Sequence, residues 1–148
     1  LNCPGQVVIS GAKQDLEKAA LIGQERGGKR FMPLEVSGAF HSRWMSPARA
    51  GLKKGIESCR LTSLKVPLVA NVSAREITSA DEVRDELLAQ LCGCVLWQSV
   101  IECMVRSGVT VFIEMGPGLV LAGLIKRTSK DAKTRNIGSA ADLKNWTQ

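Results

Sequence analysis

His41 is the single histidine among 148 residues, and imidazole is the one side chain whose unperturbed pKa lies near neutrality. It sits in Ser37-Gly-Ala-Phe-His-Ser42, a loop-like stretch after an apolar segment, where general bases are often carried. The plain alternative is a surface or core histidine with a satisfied hydrogen bond. A base needs a nucleophile, and the strand-to-helix elbow Gly-x-Ser-x-Gly does not occur in these residues. Ser42 adjoins His41, but consecutive loop residues rarely aim their side chains at each other. Cys92 and Cys94 are the remaining nucleophiles for a Cys/His hydrolase, although no cation stands beside them in sequence to favour the thiolate.

The other chemistry-bearing features are weaker. The five cysteines include one Cys92-Gly-Cys94 group with no second pair and no nearby histidine. A zinc site needs four convergent ligands, so no metal is expected. Buried or half-buried free thiols in a reducing compartment are the reading. Gly116-Pro-Gly118 precedes a helical pattern whose free amides could hold an anion. It lacks both the dinucleotide fingerprint and the P-loop lysine, and reads as a tight turn. The net charge of +6 favours an acidic partner. Lys29, Arg30, Lys53, Lys54, Lys126 and Arg127 are candidates for a docking face, though each alone is by default solvated. No tyrosine and only three Trp and three Phe leave few stacking platforms, so nucleic acid is not expected.

These residues need elements to position them. Residues 6–10 and 29–36 read as strands around a helix at 15–26, half of an α+β sandwich. Ser46-Pro47 should open the next helix as N-cap and first position, with Met45, Ala48, Leu52, Ile56 and Cys59 as one buried stripe. Residues 66–72 read as a strand. Ser79 and Glu82 form a capping box for a helix with Val83, Leu87 and Leu91 inward. A second helix buries Trp97, Ile101, Met104 and Val105 and ends at Gly108. Residues 109–113 read as a strand buried on both faces. A helix with Val120, Leu121, Leu124 and Ile125, a strand near 135–138 and a helix at 140–146 complete the chain. The alternation after residue 60 predicts a parallel α/β layer.

Composition agrees with a globular chain: 45% hydrophobic and 23% charged. No apolar run approaches the roughly 18–20 residues of a membrane-spanning helix, and no signal segment is visible at the N-terminus. A cytoplasmic protein without membrane attachment is expected. The start at Leu1 rather than Met suggests a piece of something longer.

Several segments together resemble the bacterial malonyl-CoA:acyl-carrier-protein transacylase family and the related acyltransferase domains of polyketide synthases. They are Asn2-Cys-Pro-Gly-Gln-Val-Val-Ile-Ser-Gly11, Ala39-Phe-His-Ser42 with Met45-Ser-Pro-Ala48, and Val66-Pro-Leu-Val-Ala-Asn-Val72. Leu87-Leu-Ala-Gln-Leu91 with Val95-Leu-Trp97 follows, and then Phe112-Ile-Glu-Met-Gly-Pro-Gly118 running on to Arg127. Their order matches the C-terminal portion of that family over essentially the whole chain.

The resemblance implies transfer of a malonyl group from coenzyme A to the phosphopantetheine thiol of acyl carrier protein, ping-pong through an acyl-serine. His41 falls on the family's general base. Gln90 falls on the glutamine whose backbone carbonyl orients the imidazole, so a Gln90 side-chain substitution should be milder than loss of His41. Phe40 falls on the residue that selects malonyl over methylmalonyl in the polyketide relatives, where one methyl is worth roughly 1–3 kcal/mol. Lys29, Arg30, Lys126 and Arg127 become candidates for carrier docking. No permanently bound cofactor is implied; malonyl-CoA is substrate. Residues 1–37 correspond to the second half of a ferredoxin-like subdomain, and 38–148 to the C-terminal part of a hydrolase-like parallel-sheet core. The family's serine elbow, malonate-binding arginine and oxyanion segment precede the matched region. The chain alone is therefore expected to be inactive, and a companion chain carrying the N-terminal half is a candidate partner. Cys92-Gly-Cys94 stands where the family has a polar residue and proline. A non-catalytic module that binds an acidic carrier is the alternative reading.

Overall fold

The computed structural model describes residues 1–146. It contains helices α1 (Lys13–Glu25), α2 (Arg49–Glu57), α3 (Ala80–Gln90), α4 (Trp97–Arg106), α5 (Val120–Thr128) and α6 (Ala140–Trp146). The strands are β1 (Leu68–Val69), β2 (Glu76–Ile77), β3 (Val111–Met115) and β4 (Lys133–Ile137). The chain divides into two compact units. One comprises Leu1–Val7, Pro67–Ile77 and the residues from Leu96 onward; the other comprises Val8–Val66 and Thr78–Val95.

The first unit carries the parallel layer that the strand–helix alternation predicts. β3 and β4 pair in parallel, from Val111 opposite Lys133 to Met115 opposite Ile137, and α5 makes the crossover that parallel strands require. Ile101 of α4, Phe112 of β3, Ile125 of α5 and Ala132 form its core, with Trp97 and Met104 packed against it. Gly108 takes φ 89° and ends α4, its amide donating to the Val105 carbonyl. The expected double-sided burial of the 109–113 run is not met. Phe112 is buried, but Val111, Ile113 and Met115 are exposed, because β3 has one ladder partner among the described residues and one covered face. Val105, Val120 and Leu121, expected inward, are likewise exposed. An apolar cleft of about 310 Å³ opens over this face, lined by Trp97, Met104, Val109 and Leu121 among others.

The short β1–β2 ladder is antiparallel, Leu68 opposite Ile77 and Val69 opposite Glu76. The 66–72 run thus forms two residues of strand instead of seven. Ala70 and Arg75 close its turn, and Ala74 holds φ 52° within it.

The second unit is helical. The strands expected at 6–10 and 29–36 do not form. Pairing is a long-range property, and no neighbouring strand among the described residues offers a ladder; Val7, Ile9, Leu34 and Val36 stay exposed. Between those segments α1 forms as predicted, and Phe31 folds back on its end. A Cβ at Gly23 or at Gly28 would lie 2.5 Å from the Phe31 ring, and at Gly28 it would also lie 2.8 Å from the Gly23 carbonyl oxygen, so Gly28 is the position where backbone itself leaves no room for a side chain. The capping box is present: the Glu82 amide donates to Ser79 Oγ at 3.2 Å, and the Ser79 amide to Glu82 Oε2 at 2.9 Å. The helix expected to start at Ser46-Pro47 starts earlier, as a 3-10 turn over Arg43–Ala48 running into α2. Ser42, not Ser46, is its cap. Of the predicted stripe Ile56 alone is buried, and Cys59 is exposed.

Candidate active site around His41

α3 supplies the anchor. The last carbonyls of any helix lack intrahelical partners. Here the amides of Cys92 and Gly93 both turn back to the Ala89 carbonyl, at 3.3 and 2.8 Å. The carbonyl of Gln90, the final residue of α3, is instead 2.7 Å from His41 Nδ1. A carbonyl only accepts, so this contact places the proton on Nδ1. In the neutral ring Nε2 then carries the lone pair that can receive a proton, and it has no hydrogen-bond partner among the described residues.

The loop that presents His41 is held in an uncommon shape. His41 has φ 60°, the left-handed region that costs a non-glycine residue on the order of 1 kcal/mol. Ser42 pins the backbone on both sides of it. Its hydroxyl donates to the Ala39 carbonyl at 2.6 Å and accepts from the Trp44 amide at 3.3 Å. Sequence reading took Ser42 only as a neighbour of the base; the Ser-x-x run before a 3-10 turn was the available signal for a cap. The Phe40 ring lies beside Gly38, where a Cβ would sit 3.6 Å from it, and Phe40 is half exposed.

The other candidates fall elsewhere. Neither Cys92 nor Cys94 hydrogen-bonds His41 among the described residues. Both are free thiols, Cys92 half-buried and Cys94 exposed, so the expectation of buried cysteines fails at Cys94 as it does at Cys59. No group of three or more His, Cys, Asp or Glu side chains suited to a metal occurs among the described residues. Lys29 and Arg30 belong to the second unit, Lys126 and Arg127 to the first. Arg127 is engaged within its own unit, donating to Gln6 Oε1 at 2.9 Å and to the Pro4 carbonyl at 3.2 Å.

The Gly116–Gly118 turn is occupied by the protein itself. Glu114, at the end of β3, accepts the Leu121 and Ala122 amides on its two carboxylate oxygens, at 3.0 and 2.9 Å. That carboxylate sits where an anion would bind α5. Asn136 donates to the carbonyls of Gly116 and Gly118 at 3.1 and 2.8 Å. The glycines themselves hold φ 137° and 90°. Sequence reading missed Glu114 and Asn136, since their partners lie 7 to 22 residues away.

No protein-family model matches the chain. A malonyl CoA-acyl carrier protein transacylase of Bacillus subtilis is 44% identical over 134 residues, covering 90% of this chain and 42% of the relative. The crystal structure of MCAT from Streptococcus pneumoniae matches with a TM-score of 0.90 at 32% identity, covering 98% of this chain and 47% of that one. A malonyl-transacylase solved in complex with a type II PKS acyl-carrier protein matches with a TM-score of 0.85 at 32% identity, over 91% of this chain and 44% of that one. The chain spans about half the length of the curated relatives it matches.

Proposed function

The chain is homologous to part of the malonyl CoA-acyl carrier protein transacylases, and from that premise we propose that it supplies the general base of a malonyl transfer. In this reading a serine outside these 148 residues is acylated by malonyl-CoA. His41 Nε2 takes the serine proton, delivers it to the departing coenzyme A thiol, and then takes the proton of the carrier's phosphopantetheine thiol as that sulfur attacks the acyl-serine. Malonyl-CoA is a substrate, and no permanently bound cofactor takes part. The acidic acyl carrier protein is the acceptor; the basic side chains Lys29, Arg30 and Lys126 are offered for its docking, whereas Arg127 is already engaged. Phe40, next in sequence to the base, restricts the pocket to malonyl.

The single observation that carries this reading is the 2.7 Å contact between His41 Nδ1 and the Gln90 carbonyl. It joins two residues 49 positions apart, and a base needs that kind of fixed tautomer. Residues 1–37 belong, in this account, to a ferredoxin-like subdomain, and 38–148 to the hydrolase-like core. Because the sequence holds no Gly-x-Ser-x-Gly, the 148 residues alone should form no acyl-enzyme with malonyl-CoA. Adding a companion polypeptide that carries the serine elbow should restore a malonyl adduct, detected by intact mass. An adduct on the isolated chain would overturn the division of labour.

A further inference from the structure

The Cys92-Gly93-Cys94 group takes no part in the proposed transfer, yet it begins two residues after the carbonyl that holds the base. The end of α3 is a turn in which the Cys92 and Gly93 amides both donate to Ala89. Cys94 is exposed, Cys92 is half-buried, and both are free thiols. Two residues of chain span at most about 7 Å, and a disulfide needs Cα atoms about 4.4–6.8 Å apart, so a turn brings the pair within reach. Gly93 between them has no Cβ to resist the change of backbone angles that ring closure requires. Closure rotates the backbone from Cys92 to Cys94, whose first two amides tie the chain to the Ala89 carbonyl next to Gln90; a shift of that tie would carry the Gln90 carbonyl with it.

We infer that Cys92 and Cys94 form a redox-active dithiol site for small disulfides, and that closing it releases His41 from the Gln90 carbonyl. The exposed Cys94 thiolate attacks one sulfur of a small disulfide such as oxidised glutathione. A mixed disulfide forms and one small thiolate leaves. The Cys92 thiolate then attacks the Cys94 sulfur and expels the second small thiol. The protein loses two hydrogens as two thiols become one disulfide, and the small disulfide is reduced to two thiols. A dithiol reductant reverses both steps. The oxidised chain then has an imidazole no longer restricted to the Nδ1–H tautomer.

The test treats the chain with oxidised glutathione and reads intact mass, fragmentation and the side-chain nitrogen NMR signals of the sole histidine. The expected product is two hydrogens lighter over the segment that holds Cys92 and Cys94, with the bond placed between them by fragmentation apart from any adduct on the exposed Cys59, and dithiothreitol restores the original mass. Cys92→Ser should instead retain a glutathione adduct on Cys94. His41 nitrogen signals should change on oxidation of the unsubstituted chain and not in Cys92→Ser treated alike. A stable glutathione adduct located by fragmentation at Cys92 or Cys94 of the unsubstituted chain, or no reaction at either of these two cysteines, overturns the dithiol. A Cys92–Cys94 disulfide with unchanged His41 signals overturns its link to the base. Neither readout requires malonyl transfer, so the result stands apart from the functional proposal.

Discussion

Two turns lead into helices in this molecule, and both carry sequence features that suggest chemistry. The Gly116–Gly118 turn has two glycines and a helix start. The Ala39–Trp44 loop has a histidine. Their hydrogen bonds separate them. At the glycine turn the helix amides are held by Glu114, and the turn carbonyls by Asn136. At the histidine loop Ser42 and Gln90 satisfy the backbone and one ring nitrogen, and the other nitrogen has no such partner among the described residues. A rigid turn is common to both; a reactive atom left over is particular to one. That difference, rather than the presence of glycine or histidine as such, marks the candidate site.

The comparison is sharpened by substitutions on each side. The largest effect is expected beside the base. If the chain serves malonyl transfer as proposed, Phe40→Ser in the complete protein should raise the methylmalonyl-to-malonyl ratio of kcat/KM about tenfold or more, the worth of one methyl in a fitted pocket. An unchanged ratio would remove Phe40 as selector. At the glycine turn, Glu114→Ala strips a charged acceptor from two amides and should cost about 2 kcal/mol of stability by denaturant unfolding. It should leave the His41 nitrogen signals alone, since the Glu114 carboxylate holds the Leu121 and Ala122 amides and not the His41 loop. The smallest effect is at Ser42. Ser42→Ala removes one cap and should cost about 1 kcal/mol, while Ser42→Thr, which keeps the hydroxyl, should cost less. Unlike Glu114→Ala, Ser42→Ala should also disturb the His41 signals, because the hydroxyl spans the left-handed residue. If both variants disturb them equally, the two turns are not independent in the way described.

What could be read from the sequence follows the range of the interaction. The capping box at Ser79 and Glu82 and the helix stop at Gly108 are local, and both are present, as is the apolar stripe of α4 except for Val105, which is exposed. The strands expected at 6–10 and 29–36 failed because a strand is completed by a partner that apolar residues cannot specify by themselves. Residues 109–113 failed in a subtler way. Their apolar run shows that both faces are suited to burial, but one face is bare in the described residues, so composition recorded a capacity and not a contact. The His41–Gln90 pairing spans 49 residues and has no periodic or spacing signature; it was expected only from the family resemblance. Glu114 and Asn136 had neither a local pattern nor a resemblance to reveal them.

The account rests on one proton. If the Gln90 carbonyl accepts from His41 Nδ1, the imidazole is a base through Nε2. The chain has one histidine, so selective nitrogen-15 labelling of that residue gives a single pair of ring signals without assignment ambiguity. At a pH where the ring is neutral, long-range proton–nitrogen correlation should show a protonated, pyrrole-type Nδ1 and a pyridine-type Nε2. A protonated Nε2, or an even mixture of the two tautomers, would contradict the central claim.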